Sequence, residues 1–511
     1  MSYRRFSLPV FAASLIRVLP NRFVPIALAG LLLIGATGAF SSDWPRFRGP
    51  NGAGVNETTG LPTEFGPAKN LVWRTPLPNG YSSPILVGDR IYLTGYEGEK
   101  RVTKKGYVVH DHEKLLTFAL DRATGRILWR REAPLARTET IDERNSPASP
   151  TPVSDGKNLF VFFGDYGLVS YGLDGNERWH VPLGPFTNVY GMGVSPVLVD
   201  DKIILVIDQS GGSYIAAFGQ NDGIERWKVA RPEALNGHST PSIMRDANGK
   251  TLIVAPASFR MDVYSADTGE IVWFMHGLPS EMKSVPIIDG ETIYVSGYNA
   301  PENDPGRQVS IAPFEEVLKK YDANHDGKIS IDESPDQRTK TYFPYLDLNR
   351  DGALDAAEWK TYAASMAAEN SLMAIKAQGK GDMTQTAVKW KYGRAIPQLP
   401  SLVLYRGVLY MLNDSGVLTT LNPSTGEVFK QARLRGVSDK YFASPVAADG
   451  KVYIAGNSGV ISVLKAGGDQ EVLAANKLDE DIIATPAIAD GRIYVRTVGA
   501  LYCFGVHEPR P

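Results

Sequence analysis

A phrase of strand, tight turn and strand recurs eight times along the chain, and no other feature restricts its fold so narrowly. SPVAADGKVYIAG begins at Ser444 and TPAIADGRIYVRT at Thr485; related phrases begin at Ser83, Thr151, Ser195, Thr240, Ser284 and Pro400. In each, alternating apolar residues flank a dipeptide, usually of Asp-Gly type, suited to a tight hairpin. The prolines of the phrases stand at 84, 152, 196, 241, 286, 400, 445 and 486, with gaps of 68, 44, 45, 45, 114, 45 and 41 residues. The underlying period is therefore about 45 residues, and the first and fifth gaps carry insertions of about 23 and 69 residues. Such a period has room for four short strands per unit and predicts an all-β fold, an eight-bladed β-propeller of four-stranded repeats.

A second marker follows the same period. ALDRATGRILW ends at Trp129, SADTGEIVW at Trp273 and LNPSTGEVF at Phe429, with shorter forms ending at Trp179 and Trp227. The Asp-x-x-Thr-Gly part makes a turn, and the tryptophan is expected to dock between neighbouring blades. Trp73 and Trp390 fall in similar contexts. This pattern resembles the PQQ-type repeat of quinoprotein dehydrogenases and is similar to the propeller lipoprotein of the outer-membrane barrel-assembly machine. The resemblance covers roughly residues 70–300 and 382–505. Phrases such as WPRFRGPNGAG (44–54) look like an exported PQQ-like propeller family. The last phrase leaves room for only about three strands, so 70–77 is expected to close the ring in the same blade as 485–505.

The fifth gap holds something other than β-structure. FEEVLKKY places Phe314, Val317, Leu318 and Tyr321 on one helix face. DANHDGKISIDE then sets Asp322, Asn324, Asp326, Ser330 and Glu333 at loop positions 1, 3, 5, 9 and 12, with Lys328 at position 7. DLNRDGALDAAE repeats this with Asp347, Asn349, Asp351, Ala353, Asp355 and Glu358. Both match the EF-hand loop. A hard cation takes six to eight oxygens; short Asp/Asn side chains, the position-7 carbonyl and a two-oxygen Glu supply them as the loop winds round Gly327 or Gly352. Two bound Ca²⁺ ions are expected. The loops start only 25 residues apart, and Pro335 and Pro344 are expected to cut short the helices between them. Micromolar or weaker affinity and a structural role are expected, as for exposed extracellular modules.

The remaining segments bound location and chemistry. Arg4, Arg5, Arg17 and Arg22 precede an uncharged run from Phe23 to Ser42, ending in small residues near Ala36–Ala39. This reads as a cleaved export signal, with an uncleaved anchor as the alternative. The divisions expected are 1–39 signal, 40–69 lead segment, 70–300 blades, 301–381 insertion with its EF-hand core at 314–363, and 382–507 blades. Lys+Arg is 54 and Asp+Glu 56, so there is no basic excess for nucleic acid. The one cysteine, Cys503, excludes an internal disulfide and is expected in the core.

Two functional classes remain. The first is a non-enzymatic propeller binding a protein or glycan through one face, with calcium ordering the inserted arm. The second, implied by the resemblance, is a PQQ-dependent dehydrogenase oxidising an alcohol or sugar. A single cysteine forbids the vicinal disulfide that many alcohol-oxidising members carry, and no catalytic residue is assigned. Loop residues Asn145, Asp208, Gln209, Arg231 and His238 are candidates for a functional face. The pair His110 and His112 has the form H-x-H, but a third metal ligand is not evident.

Overall fold

The computed structural model describes residues 43–98, 101–103, 107–111, 113–434 and 439–506. The signal-like segment 1–39 and His112 lie outside these residues. The strands gather into eight antiparallel meanders of four consecutive strands each, apart from the chain-end and insertion exceptions below. In one of them, Val197–Val199, Lys202–Ile207, Tyr214–Gly219 and Glu225–Ala230 follow in order. All six residues of Tyr214–Gly219 are buried, whereas Glu225–Ala230 alternates toward solvent. The inner strands are apolar throughout because neighbouring sheets cover both of their faces. Hairpin dipeptides such as Asp449-Gly450 and Asp490-Gly491 have positive φ at both residues, as the twist-matched turn requires.

The last sheet draws on both ends of the chain. Ala487–Ala489, Arg492–Arg496 and Ala500–Gly505 are joined by Leu71–Pro76, which pairs antiparallel with Ala500–Gly505. Cys503 lies buried opposite Trp73. The fifth sheet takes its third strand from Ser371–Lys376, within the span 301–381 that the spacing assigns to the insertion. The extra residues of the first gap form a small sheet of Arg101–Val102, Tyr107–His110 and Glu139–Asp142.

The tryptophans join each sheet to the next. The indole N–H groups of Trp73, Trp129, Trp179, Trp227 and Trp390 donate to carbonyls of Arg122, Leu173, Gln220, Ala266 and Pro423 in the following sheet's outer turn. Each indole lies on the glycine of that turn: a Cβ at Gly125, Gly175, Gly223, Gly269 or Gly426 would fall 2.4–2.8 Å from it. Trp273 is the exception. The turn ahead of it is a longer loop, and Gly381–Asp382 instead pairs parallel to its strand. Gly269→Ala, at φ 75° and 2.7 Å from Trp227, is expected to cost about 2–3 kcal/mol. Gly290→Ala, at φ 52° with nothing within 4 Å, is expected to cost about 1 kcal/mol. Urea midpoints of the two variants check the difference.

A belt of hydroxyls runs round the inner edge. The N–H of Ser83 donates to the Thr151 hydroxyl (3.0 Å), that of Thr151 to Ser195 (2.9 Å) and that of Ser195 to Thr240 (3.1 Å). On the far side Val285 donates to Ser401, Ser401 to Ser444 and Ser444 to Thr485. The Ser or Thr that opens most phrases is thus a latch between sheets.

The lead segment crosses beneath this belt. Trp44 pairs with Leu86, Pro45 accepts from Ser154, the Arg46 guanidinium donates to Pro241, and Asn51 exchanges two bonds with Ile243. Arg48, fully buried, donates to the carbonyls of Gly52, Ala53, Leu402 and Pro445. No carboxylate is among these partners, and burial pushes the guanidinium down to about 9. The Thr58 hydroxyl accepts from Gly491 N–H of the last sheet (2.6 Å), so the segment reaches six of the eight sheets and floors the space they enclose.

Candidate functional site

The arm inserted between the second and third strands of the fifth sheet, Thr292–Gly297 and Ser371–Lys376, has its own core. Helices α1 (Phe314–Tyr321), α2 (Gln337–Leu346) and α3 (Ala356–Ala367) pack around Val317, Ile329, Phe343, Leu354, Trp359, Tyr362 and Met366. Three helices serve two loops, because α2 alone runs from the first loop into the second. Residues 331–335 leave loop one as turns rather than as a helix, and Asp336, next to Pro335, caps the start of α2. Pro344, however, lies inside α2 rather than breaking it: it sits in the last turn, where only one N–H is missed, and Asp347 still bonds Phe343 (3.0 Å).

The two loops are wound alike. Asp322 accepts from Asp326 and Gly327; Asp347 accepts from Asp351 and Gly352. Ile329 pairs with Leu354 across a short ladder. Glu333 reaches back to the N–H groups of Ala323, Asn324 and Ser330, and Glu358 to those of Leu348, Asn349 and Asp355. Asp355 also caps α3, forming a capping box with Glu358. Lys328 of the first loop bridges to Asp351 of the second (2.5 Å). The donor set is hard oxygen throughout, from carboxylates, amides, a hydroxyl and carbonyls, which suits Ca²⁺. Among the described residues no cluster of three or more His, Cys, Asp or Glu side chains is already gathered on one point.

The arm stands over the enclosed space. Its ends are clipped together by Asn303, donating to Ser365 and Ala368, and by Asn370, donating to Ala300 and Asp304. Tyr345 of α2, two residues before Asp347, stacks on Tyr190 with ring centroids 5.8 Å apart. Tyr190 donates to Glu281 (2.6 Å), which pairs with Lys283. Arg144 grips Asp142 at 2.7 and 2.8 Å and lies over the same tyrosine ring. Burial raises the Glu281 carboxyl, but Lys283 and Tyr190 outweigh it and hold it below its usual value.

Beneath this mouth lies a chamber of about 180 Å³, to which every sheet contributes. Ser83, Thr151, Ser195, Ser401, Ser444 and Thr485 encircle it. Phe47 of the lead segment and Phe442 also line it. A second cavity, of about 340 Å³, lies between the propeller face and α2–α3, and it shares Arg144 and Tyr190 with the chamber.

Of the candidate face residues, Asn145 and His238 line the chamber. Asp208 and Arg231 instead form a buried ion pair (2.8 Å), and Gln209 accepts from Thr187 N–H. His110 is buried against Glu113 (2.9 Å) and Tyr96, so it is a packed pair rather than an open metal site. Sequence reasoning did not find Tyr190, Arg144 or Lys283; their proximity depends on three separate sheets.

Glu139, near the second EF loop, has its carboxyl pushed up to about 7 by burial, with Asp165 adding to it. A folded state that retains this proton loses stability as pH rises from about 4.5 to 7. Glu139→Gln is expected to be neutral near pH 4.5 and to gain about 1 kcal/mol at pH 8, read from melting temperatures at both pH values.

A family model described as outer membrane protein assembly factor BamB, built on PQQ-like repeats, matches residues 67–186, 113–302 and 352–506. These matches span most of the chain. The chain belongs to this PQQ-like repeat family. An EF-hand model matches 314–333 and 339–361, so this PQQ-like propeller carries an EF-hand pair. The outer membrane protein assembly factor BamB of Yersinia pestis is 22% identical over 78% of this chain and 88% of its own. A europium-containing methanol dehydrogenase superposes with TM-score 0.55 at 10% identity, covering 91% of this chain and 98% of its own. The quinohemoprotein alcohol dehydrogenase of Comamonas testosteroni gives 0.54 at 13%, covering 92% and 82%. These two likenesses concern the fold.

Proposed function

We propose that this chain is an exported, eight-bladed calcium-binding propeller that acts by binding rather than by catalysis. One Ca²⁺ is held by Asp322, Asn324, Asp326, the Lys328 carbonyl, Ser330 and Glu333. A second is held by Asp347, Asn349, Asp351, the Ala353 carbonyl, Asp355 and Glu358. The observation that carries this reading is the stacking of Tyr345 on Tyr190, which ties the second loop to the channel mouth. Calcium orders the arm, and the arm sets what reaches the propeller face. The name of the Yersinia relative, an outer membrane protein assembly factor, supports a protein partner there.

A dehydrogenase would need room for PQQ, a tricarboxylate quinone. The residues of the chamber do not fit it. The chamber is small, and its cations Arg144 and Lys283 are each paired with a carboxylate. Calorimetric titration with Ca²⁺ tests the proposal: two sites of micromolar or weaker affinity are expected, with slower trypsin cleavage of the loaded arm. An absence of calcium binding, or dye-linked oxidation of an alcohol or sugar on adding PQQ, overturns it.

A further inference from the structure

We infer that Lys328 is a built-in competitor for the second calcium: from position 7 of loop one, its ammonium stands among the ligands of loop two and lowers that loop's affinity. This deepens the proposed function and rests on its assignment of the two calcium sites.

The ladder between the loops puts the side chain there. Ile329 pairs with Leu354 and Ser330 with Ala353. Carried one residue further, the antiparallel register sets Lys328 against Asp355, the ninth residue of loop two. From this place the lysine stem reaches across the seam, and its Nζ donates to Asp351 Oδ2 (2.5 Å). The Asn349 amide also donates to Oδ2 (3.3 Å), and Oδ1 takes the N–H of Ala353 (3.0 Å). Both oxygens of this ligand are thus engaged, one of them by a full positive charge. Asp351, with Asp355 and Glu358 adding to it, holds the ammonium above its usual value. Three of the four carboxylates assigned to the second ion therefore act on Lys328.

The arrangement is one-sided. Position 7 of loop two is Ala353, which returns no cation to loop one. Asp326, the counterpart of Asp351, takes the N–H of Lys328 (2.9 Å) and the Asn324 amide (2.9 Å), both uncharged groups. Carboxylate count favours loop two, which has Asp347, Asp351, Asp355 and Glu358 against Asp322, Asp326 and Glu333 in loop one. The ammonium cancels that extra charge. An entering Ca²⁺ is repelled by it and must draw Asp351 away from it. Loop two is the one joined through Tyr345 to Tyr190, so the site tied to the channel mouth fills at higher calcium than its ligands would otherwise set.

Calcium calorimetry on the full chain tests this in the Glu333→Gln background, where loop one is weakened and loop two is read. Lys328→Met keeps the stem and the position-7 carbonyl and removes the charge. It is expected to tighten loop two about three- to fivefold, the scale of an exposed ion pair. Lys328→Arg restores a cation and is expected to stay within about twofold of the parent. Lys319→Met removes the same charge from an exposed position on α1 and is also expected to stay within about twofold. Lys328→Gln is the second variant should Lys328→Met not fold, with the same expected gain. A lysine that merely shaped the loop would show the opposite sign, a loss of affinity on Lys328→Met. Unchanged or weaker binding in Lys328→Met, or an equal gain in Lys319→Met, overturns the inference. If the wild type still binds two calcium ions in that case, only the competition falls and the proposed function stands; if it binds none, both fall.

Discussion

Arg48→Met is expected to lower stability by about 4 kcal/mol, more than any surface change on this chain. The guanidinium is buried and serves four carbonyls, of Gly52, Ala53, Leu402 and Pro445. Hydrogen bonds to a charged group are worth about 1.5–3 kcal/mol each, and removing the donor leaves the acceptors buried without partners. Methionine fills much of the volume, so the loss reports the bonds rather than a cavity. It also removes the lead segment's bond to Leu402 of the sixth sheet and one of its several bonds to the seventh, at Pro445. Arg226→Met is the contrast: that side chain pairs with Asp222 in the open (2.7 Å), and about 0.5 kcal/mol or less is expected. Urea unfolding of both variants checks the difference; equal midpoints would show that the lead segment is a passive tail.

Glu333→Gln and Glu358→Gln are expected each to remove one of the two calcium equivalents, weakening the affected loop at least about tenfold through loss of a charged, two-oxygen ligand. Their calcium-free behaviour should separate. Glu358, in the first turn of α3, is buried and takes the backbone N–H groups of Leu348, Asn349 and Asp355, so its replacement is expected to cost about 2 kcal/mol even without calcium. Glu333 is more exposed, and Glu333→Gln is expected to cost less than Glu358→Gln without calcium. In the wild type, calcium at a hundred times its Kd adds about 2.7 kcal/mol of stability. Melting curves with calcium and with a chelator read all of these. If Glu358→Gln also alters trypsin cleavage near Tyr345, the second loop is coupled to the roof of the channel.

Much of the fold was legible because its signals are local and repeated. The turn dipeptides, the phrases and the Trp-bearing outer strands each lie within about a dozen residues, so their chemistry can be read without knowing what packs on them. The EF-hand loops were legible for the same reason, since twelve consecutive residues carry a complete donor set. Even so, the phrase at Pro400 was read one residue out of step: Ser401 holds the latch position, and Leu402 stands where the other phrases have proline. His110 was read from its H-x-H spacing and turned out to answer to Glu113 and Tyr96 in the core.

What the sequence by itself determined is the inventory: an all-β PQQ-like propeller, wedges between its sheets, and a paired EF-hand arm inserted late in the chain. What only the tertiary structure decided is how these parts enclose a site. The floor depends on Arg48 meeting Leu402 and Pro445, 354 and 397 residues away. The roof depends on Tyr345 meeting Tyr190, and the hydroxyl belt on residues a whole repeat apart. Unlike the belt, which keeps the spacing of the repeat, the floor and roof contacts leave no periodicity in the chain. They exist because the two ends of a ring must meet, which fixes what lies across its centre.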